Sequence, residues 1–296
     1  MESNWLVNQE LCKRCGSCVD VCPNRIIQFN DEGHIFFRED RKWECFQCGH
    51  CMAICSTKAV QVPELSYEND FYAVDDSQDN AYRAYDNLIR TRRAIRNFKQ
   101  KPVPRALLEK VVDAIQLAPP GFPPCKTELT IVQDMALIHQ AQPMMIVFYE
   151  KLVKMLKHPI AKQFIKKSAG REKYITLQNH LLPLMEERLP DLKSGKEDTI
   201  LRNAPAMILF HANRNTENYR ADLYIAVTFG LLAAHALGLG ATAMDIIPPS
   251  IEKDTTLRAL FQIPAENEVV ASMILGFPKY KYQRGIKREL PSIQWV

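Results

Sequence analysis

Eight of the nine cysteines in this chain fall into two copies of one spacing. Cys12, Cys15, Cys18 and Cys22 read C-x2-C-x2-C-x3-C-P, and Cys45, Cys48, Cys51 and Cys55 repeat the run 33 residues later, with Ser56 in place of Pro23. Three thiolates at i, i+3 and i+6 in an irregular loop can face one iron–sulfur cubane, which needs four. The fourth cysteine, three residues further on, leaves the loop and points elsewhere. Pro23 ends the loop and biases Cys22 toward an extended conformation. Zinc sites take two C-x2-C pairs per ion without a third cysteine at i+6. A disulfide framework belongs to small secreted chains, and here a long ordinary sequence follows the cysteines. Iron–sulfur cubes accept and pass single electrons, so the rest of the chain must supply or use them.

The elements that position these loops are short. Ile26, Ile27 and Phe29 lead through Asp31-Glu32-Gly33 to Ile35, Phe36 and Phe37, which reads as a hairpin with a Gly turn. Val60 and Val62 predict a matching strand after the second motif. A domain of roughly 60 residues has little apolar core, so bound clusters would hold it together. The doubled run resembles that of bacterial two-cluster [4Fe–4S] ferredoxins, where the fourth cysteine of each motif serves the other cluster. That resemblance implies one cluster on Cys12, Cys15, Cys18 and Cys55, and a second on Cys45, Cys48, Cys51 and Cys22.

With 296 residues, the chain has room for two domains. A net charge of +4 is too small to argue for nucleic acid. Met1-Glu2-Ser3-Asn4 has neither a basic start nor an apolar run, and reduced cysteines fit a cytoplasmic protein. Ile225 to Met244 lacks Asp, Glu, Lys and Arg over 20 residues, long enough to span a bilayer. Thr228, His235 and several small residues make it instead a buried core helix, with no membrane span.

Residues 1–62 are expected to form the cluster domain. Residues 63–82 carry Glu64, Glu68, Asp70, Asp75, Asp76 and Asp79 with no Lys or Arg, and read as an acidic linker. Residues 83–296 form the second domain. It opens with a helix around Ala84 to Arg93. An amphipathic helix follows from Pro104, with Leu107, Leu108, Val111, Val112 and Ile115 on one face. Pro119 to Pro124 breaks it. Strands are expected at Leu129–Val132, Ala206–Phe210 and Val269–Leu275. Leu152–Gln178 reads as helix interrupted near Pro159, Met144–Phe148 as either type, and Leu257–Phe261 as a short helix. The class is α+β without strict βαβ alternation.

Three pieces of the second domain resemble the nitroreductase family of FMN-dependent oxidoreductases. They are Arg92-Arg93-Ala94-Ile95-Arg96-Asn97-Phe98, the stretch Ala221 to Met244, and Ile274-Leu275-Gly276-Phe277-Pro278. The whole order resembles ferredoxin–nitroreductase fusions. The resemblance implies that Arg92 and Arg96, with Arg93 beside them, reach the FMN phosphate and ring. Arg is suited to gripping phosphate with two donors at once. Ala94 stands where the family has a Ser. Met244 and Asp245 align with backbone that hydrogen-bonds the flavin N5. Arg284, Lys287 and Arg288 match basic residues that return to the phosphate.

The chain departs from the family where Pro120 and Pro123 replace a Ser and a flavin-contacting Asn. This points to a subfamily with its own substrate. Cys125 falls on the same loop, with Lys126 beside it. Gly238-Leu239-Gly240-Ala241-Thr242-Ala243 fits G-x-G-x-x-A, but a dinucleotide site needs a strand before it and a helix after it. The basic run Lys151, Lys154, Lys157, Lys162, Lys166, Lys167, Arg171 and Lys173 is a solvated helix face, a carrier dock or a lid.

The resulting expectation is an enzyme: two [4Fe–4S] clusters pass electrons to FMN, which reduces a small organic, nitro- or quinone-like substrate. The resemblance implies a homodimer with FMN at its interface, and an external ferredoxin or NAD(P)H is a possible donor. The alternatives are a carrier or redox-sensing module without its own substrate, and an FMN enzyme whose clusters are only structural. No paired carboxylates or Ser/His/Asp set announces a catalytic residue.

Overall fold

The computed structural model describes residues 5–22, 24–45, 47–71, 81–121, 126–282, 286 and 290–296. Pro23, Pro123, Cys125, Arg284, Lys287 and Arg288 lie outside the described residues. The chain divides into two compact units, Met1–Asn80 and Ala81–Val296.

The first unit runs β1 (Leu6–Val7), α1 (Ser17–Asp20), β2 (Ile27–Phe29), β3 (Ile35–Phe37), α2 (His50–Ala53) and β4 (Val60–Gln61). β2 and β3 form the hairpin, with Gln28 opposite Phe36. Gly33 takes φ +76° in its turn, a conformation open to Gly at little cost. β4 pairs antiparallel with β1, so the strand after the second motif closes on the start of the unit. Ile26, Ile27, Ile35, Phe37, Met52, Val60 and Val62 make a small core, against which Leu65, Tyr67 and Phe71 pack. Those three residues lie within the segment expected as linker. The Tyr67 hydroxyl donates to Val60 O at 2.8 Å.

The second unit is built on four antiparallel strands, β5 (Glu128–Val132), β6 (Ala206–Asn213), β7 (Gly240–Ala243) and β8 (Asn267–Gly276), in the order β5-β6-β8-β7. Its helices are α3 (Ala81–Thr91), α4 (Arg105–Gln116), α5 (Met135–Lys157), α6 (Pro159–Ala169), α7 (Arg171–Thr176), α8 (Leu182–Ser194), α9 (Tyr219–Ala236), α10 (Pro248–Glu252) and α11 (Thr255–Leu260). Side chains alternate across each strand. Ala206, Ile208, Phe210 and Ala212 therefore face α4 and α9, whereas Met207 and Leu209 face the core of α5, α8 and α11. The result is a sheet between two helical layers.

Met144–Phe148 resolves as helix inside α5, which continues through Pro143. The 20-residue stretch without Asp, Glu, Lys or Arg does not stay helical: α9 stops at Ala236, Gly238 turns at φ +75°, and β7 begins at Gly240. Among the described residues no helix is long and apolar enough to cross a membrane. The G-x-G-x-x-A run thus has a helix before it and a strand within it, the reverse of a dinucleotide site.

Candidate functional site

In the first unit the two cysteine loops are related by the 33-residue repeat in conformation as well as sequence. Arg14 and Gln47 have φ 53° and 56°, Gly16 and Gly49 78° and 72°, and Arg25 and Lys58 52° and 54°. A Cβ on Gly16 would stand 3.2 Å from the Phe29 ring, and one on Gly49 3.2 Å from the Phe71 ring. Both turns therefore favour glycine for φ, and an added Cβ would force the ring beside it to give way. Cys12, Cys15, Cys18 and Cys55 line one cavity. Cys22, Cys45, Cys48 and Cys51 line the other. Each cavity thus takes three cysteines from one motif and the fourth from the other.

Backbone N–H groups point at the sulfurs. Arg14 N donates to Cys12 Sγ at 3.4 Å and Gln47 N to Cys45 Sγ at 3.4 Å. Ile26 N donates to Cys22 Sγ at 3.3 Å and Ala59 N to Cys55 Sγ at 3.2 Å. Such donors stabilise charge on sulfur. Burial pushes the Cys18 thiol up to about 11 and the Cys51 thiol up to about 12. In the metal-free chain these two thiols stay protonated at neutral pH. Loading a metal there must release their protons. Among the described residues no three metal-ligating side chains converge on a single-ion site. The thiols instead ring two cavities, which suits a cubane.

In the second unit the segment after α3 runs along the free edge of β7. Ala94 forms a parallel bridge with Ala241, and Ile95 N donates to Ala241 O at 3.1 Å. Farther on, Lys99 N donates to Phe277 O at 2.8 Å and Lys279 N to Asn97 O at 3.0 Å. This strap holds Arg92, Arg93, Ala94 and Arg96 in fixed order beside the sheet.

The Arg93 guanidinium carries the clearest sign of a ligand. Its Nη1 donates to Arg92 O at 2.5 Å. Its Nε and Nη2 are buried and, among the described residues, have no partner. In this same chain Arg38 and Arg41 use that pair of atoms to grip a carboxylate side-on. Leaving a buried donor unmade costs about 1–3 kcal/mol. The Arg93 fork therefore fits an oxyanion with two acceptor oxygens. Nearby, His235 hydrogen-bonds Thr91 Oγ1 at 2.9 Å. Burial first, then Arg92 and Arg93, hold its pKa below the usual imidazole value, so it adds no positive charge at neutral pH.

A further cation escaped the sequence reading. Arg202 sits in the loop before β6, where it and Asn203 take φ 56° and 49°. Asp198 holds that loop, accepting from Ile200 N at 3.1 Å, Leu201 N at 2.8 Å and Asn203 N at 2.9 Å. Gln100 Nε2 ties the strap to Asn203 O at 3.2 Å. Arg202 Nε is buried and, among the described residues, unpartnered. Burial lowers the Arg202 pKa, Glu197, 3.7 Å from its Nη1, opposes the shift, and Arg96 adds to it. Only the meeting of segments about 100 residues apart reveals this pair.

Met244 and Asp245 follow β7. The Met244 N–H donates to Ser272 O at 3.0 Å, and the Ser272 hydroxyl donates to Met244 O at 2.8 Å. The Met244 N–H is thus engaged by β8, and Asp245 stands exposed at the turn that follows. Asp245 opens on a groove of about 990 Å³ that Phe148, Lys151, Met155, Lys173 and Tyr224 also line. Burial and then Asp245 raise the Tyr224 phenol above its ordinary value, so it keeps its proton at neutral pH. Lys151 and Lys173 put two members of the basic run on this rim.

The sequence profile of the nitroreductase family matches residues 89–277, and that of the 4Fe-4S dicluster domain matches residues 11–60. The chain belongs to the nitroreductase family and carries a two-cluster ferredoxin domain ahead of it. An iodotyrosine deiodinase of Danio rerio is 21% identical over 222 residues, covering 73% of this chain and 67% of that protein. A probable ferredoxin of Methanosarcina thermophila is 59% identical over 27 residues, covering 9% of this chain and 47% of that protein. The crystal structure of a nitroreductase with bound FMN from Desulfitobacterium hafniense superposes with TM-score 0.53 at 17% identity, covering 71% of this chain and 96% of that one.

Proposed function

We propose that the chain is an FMN-dependent oxidoreductase that takes electrons from two [4Fe–4S] clusters and delivers them to a small organic acceptor of nitro or quinone type. The observation that carries this reading is the buried side-on fork of Arg93, unpartnered among the described residues. A phosphate monoester supplies the two oxygens the fork lacks, and FMN ends in one. Arg92, Arg93 and Arg96 would hold the cofactor from the strap. Bound there, FMN converts single electrons into hydride chemistry.

This chain's residues have separate tasks in that reaction. The strap fixes the phosphate end, and the Ile95 to Ala241 hydrogen bond keeps the arginines from drifting. Arg96 and Arg202 would place positive charge where a reduced flavin gathers negative charge. The groove beside Asp245 admits the acceptor. Tyr224, protonated and half exposed, holds a proton on its hydroxyl for the acceptor that gains electrons. A reduced ferredoxin or NAD(P)H supplies the electrons from outside.

A homodimer completes the arrangement. α3 buries no residue, and Tyr82, Tyr85 and Ile89 stand exposed on it at helical spacing. Leu290, Ile293 and Trp295 near the C-terminus are exposed as well. Large apolar side chains at this density suit a protein surface that meets a second copy. The test is anaerobic purification with iron and FMN reconstitution, read by absorbance and light scattering. The expected result is a dimer holding flavin and iron together. A monomer that takes up iron but no FMN overturns the reading.

A further inference from the structure

The two cysteine loops repeat in backbone, but their sulfurs are not solvated alike. In the cavity of Cys12, Cys15, Cys18 and Cys55, two hydroxyls reach cysteine sulfur. Ser17 Oγ lies 3.5 Å from Cys15 Sγ, and Thr57 Oγ1 lies 3.7 Å from Cys55 Sγ. Thirty-three residues away, the corresponding positions are His50 and Asn24. The Asn24 amide is spent elsewhere, donating to Glu44 O at 2.7 Å. Among the described residues no hydroxyl is hydrogen-bonded to Cys22, Cys45, Cys48 or Cys51.

The loops differ in charge as well. Lys13 and Arg14 occupy the gap between the first two cysteines of the first motif, where the second motif has Phe46 and Gln47. Gln47 Nε2 donates to the Glu64 carboxylate at 3.1 Å, which brings an acid toward the second loop. Backbone donors do not offset this. Arg14 N and Ala59 N serve the first cavity, and Gln47 N and Ile26 N serve the second, at matching distances.

Once ligated as thiolate, a cysteine can only accept, so Ser17 and Thr57 donate to sulfur in the loaded protein. Reduction adds one negative charge to a cluster. Donors and cations stabilise the reduced form, and nearby acids destabilise it; hydrogen bonding to sulfur and local charge are recognised levers on cluster potential. Arg41 also acts on Cys22, but the Glu44 carboxylate pairs with it at 2.7 Å and offsets its charge, so both levers favour the Cys12 site.

We propose that Ser17 and Thr57 are potential-setting residues that make the site of Cys12, Cys15, Cys18 and Cys55 the higher-potential member of the pair, so that the site of Cys22, Cys45, Cys48 and Cys51 is the relay's entry and the Cys12 site its holding point. A cluster held at the second site would be reduced by one electron, its charge falling by one. On transfer that site is re-oxidised and the Cys12 site is reduced by the same one electron, with no proton moved. The direction of travel rests on the proposed function. The order of the two potentials does not, and it is measurable without flavin.

The test is an anaerobic redox titration of the reconstituted full chain without FMN, followed by electron paramagnetic resonance. The expected result is two waves separated by at least a tenfold preference, about 59 mV for a one-electron couple. Ser17→Ala with Thr57→Val should lower the upper wave alone and leave the lower wave in place. The reciprocal variant His50→Ser should raise the lower wave, and it keeps the test decisive if the double variant fails to load iron. A single two-electron wave, or a double variant that moves the lower wave, overturns the ordering while leaving the flavin reading intact. Absence of any wave in an iron-replete chain would instead contradict the two-cluster reading.

Discussion

Ile95 hydrogen-bonds Ala241 through its backbone N–H at 3.1 Å, and its side chain fills the space over Gly240. A Cβ at Gly240 would stand 2.6 Å from Ile95 Cγ2, closer than real atoms approach. The strap that carries four candidate cofactor residues therefore depends on a missing side chain in β7. Gly240→Ala should push the strap off the sheet edge. Overpacking of this kind costs about 1–3 kcal/mol. FMN affinity measured by fluorescence quenching should fall at least tenfold while iron content stays unchanged. Unaltered flavin affinity would show that the strap does not set the site.

Arg93 offers a sharper separation of binding from stability. Among the described residues its buried Nε and Nη2 have no partner. Replacement by Met removes the unmade donors and keeps much of the volume. The flavin-free Arg93→Met chain should melt no lower than the parent, by a margin of up to about 1 kcal/mol. FMN affinity should nevertheless drop at least tenfold, because charge-assisted hydrogen bonds are worth about 1.5–3 kcal/mol. A variant that loses stability but keeps flavin would reverse the assignment.

Ligation across the two motifs makes an epistatic prediction. Cys15 and Cys55 line one cavity although they belong to different motifs. Cys15→Ala and Cys55→Ala should each reduce iron from about eight to about four atoms per chain, and the double variant should lose no more. Cys48→Ala with Cys55→Ala should lose nearly all of it. Should the Cys15 and Cys55 double variant be emptied of iron, ligation would run within each motif instead.

How far the sequence reaches is clear from particular residues. The cysteine loops are legible because their chemistry is local: ligands, turn glycines and hairpin lie within about 60 positions. The amphipathic α4 is legible from periodicity, and the strands β5, β6 and β8 from short apolar runs. Arg202 is not, because its relation to Arg96 arises only where the Asp198 loop meets the strap. Nor is the engagement of the Met244 N–H, which depends on the register of β7 against β8. The helix α9 ends at Ala236, short of the end of its charge-free stretch, because Gly238 turns the chain into a strand.

His211 supplies a pH-dependent stability term in the second unit. Asn267 Nδ2 lies 2.9 Å from His211 Nδ1, which accepts; His211 Nε2 then donates to Thr130 Oγ1 at 3.2 Å, and Thr130 donates to Phe261 O at 3.3 Å. Burial depresses the His211 pKa below 6.5, so the folded state favours the neutral ring. The unfolded chain then binds the extra proton first as pH falls. The stabilising contribution is complete above about pH 6.5 and declines from there toward the lower folded pKa. Urea midpoints for the second unit should fall between pH 7 and 5, and His211→Gln should flatten that slope. An unchanged slope in the variant would assign it to other groups.

The most direct test of the relay is rapid mixing of the iron-replete, FMN-loaded chain with a reduced low-potential ferredoxin, following cluster and flavin absorbance together. Cluster reduction should precede bleaching of the flavin band, and Cys18→Ala with Cys51→Ala should slow that bleaching at least tenfold while FMN stays bound. Clusters that become reduced without the flavin following, or a flavin that bleaches as fast without them, would contradict the account.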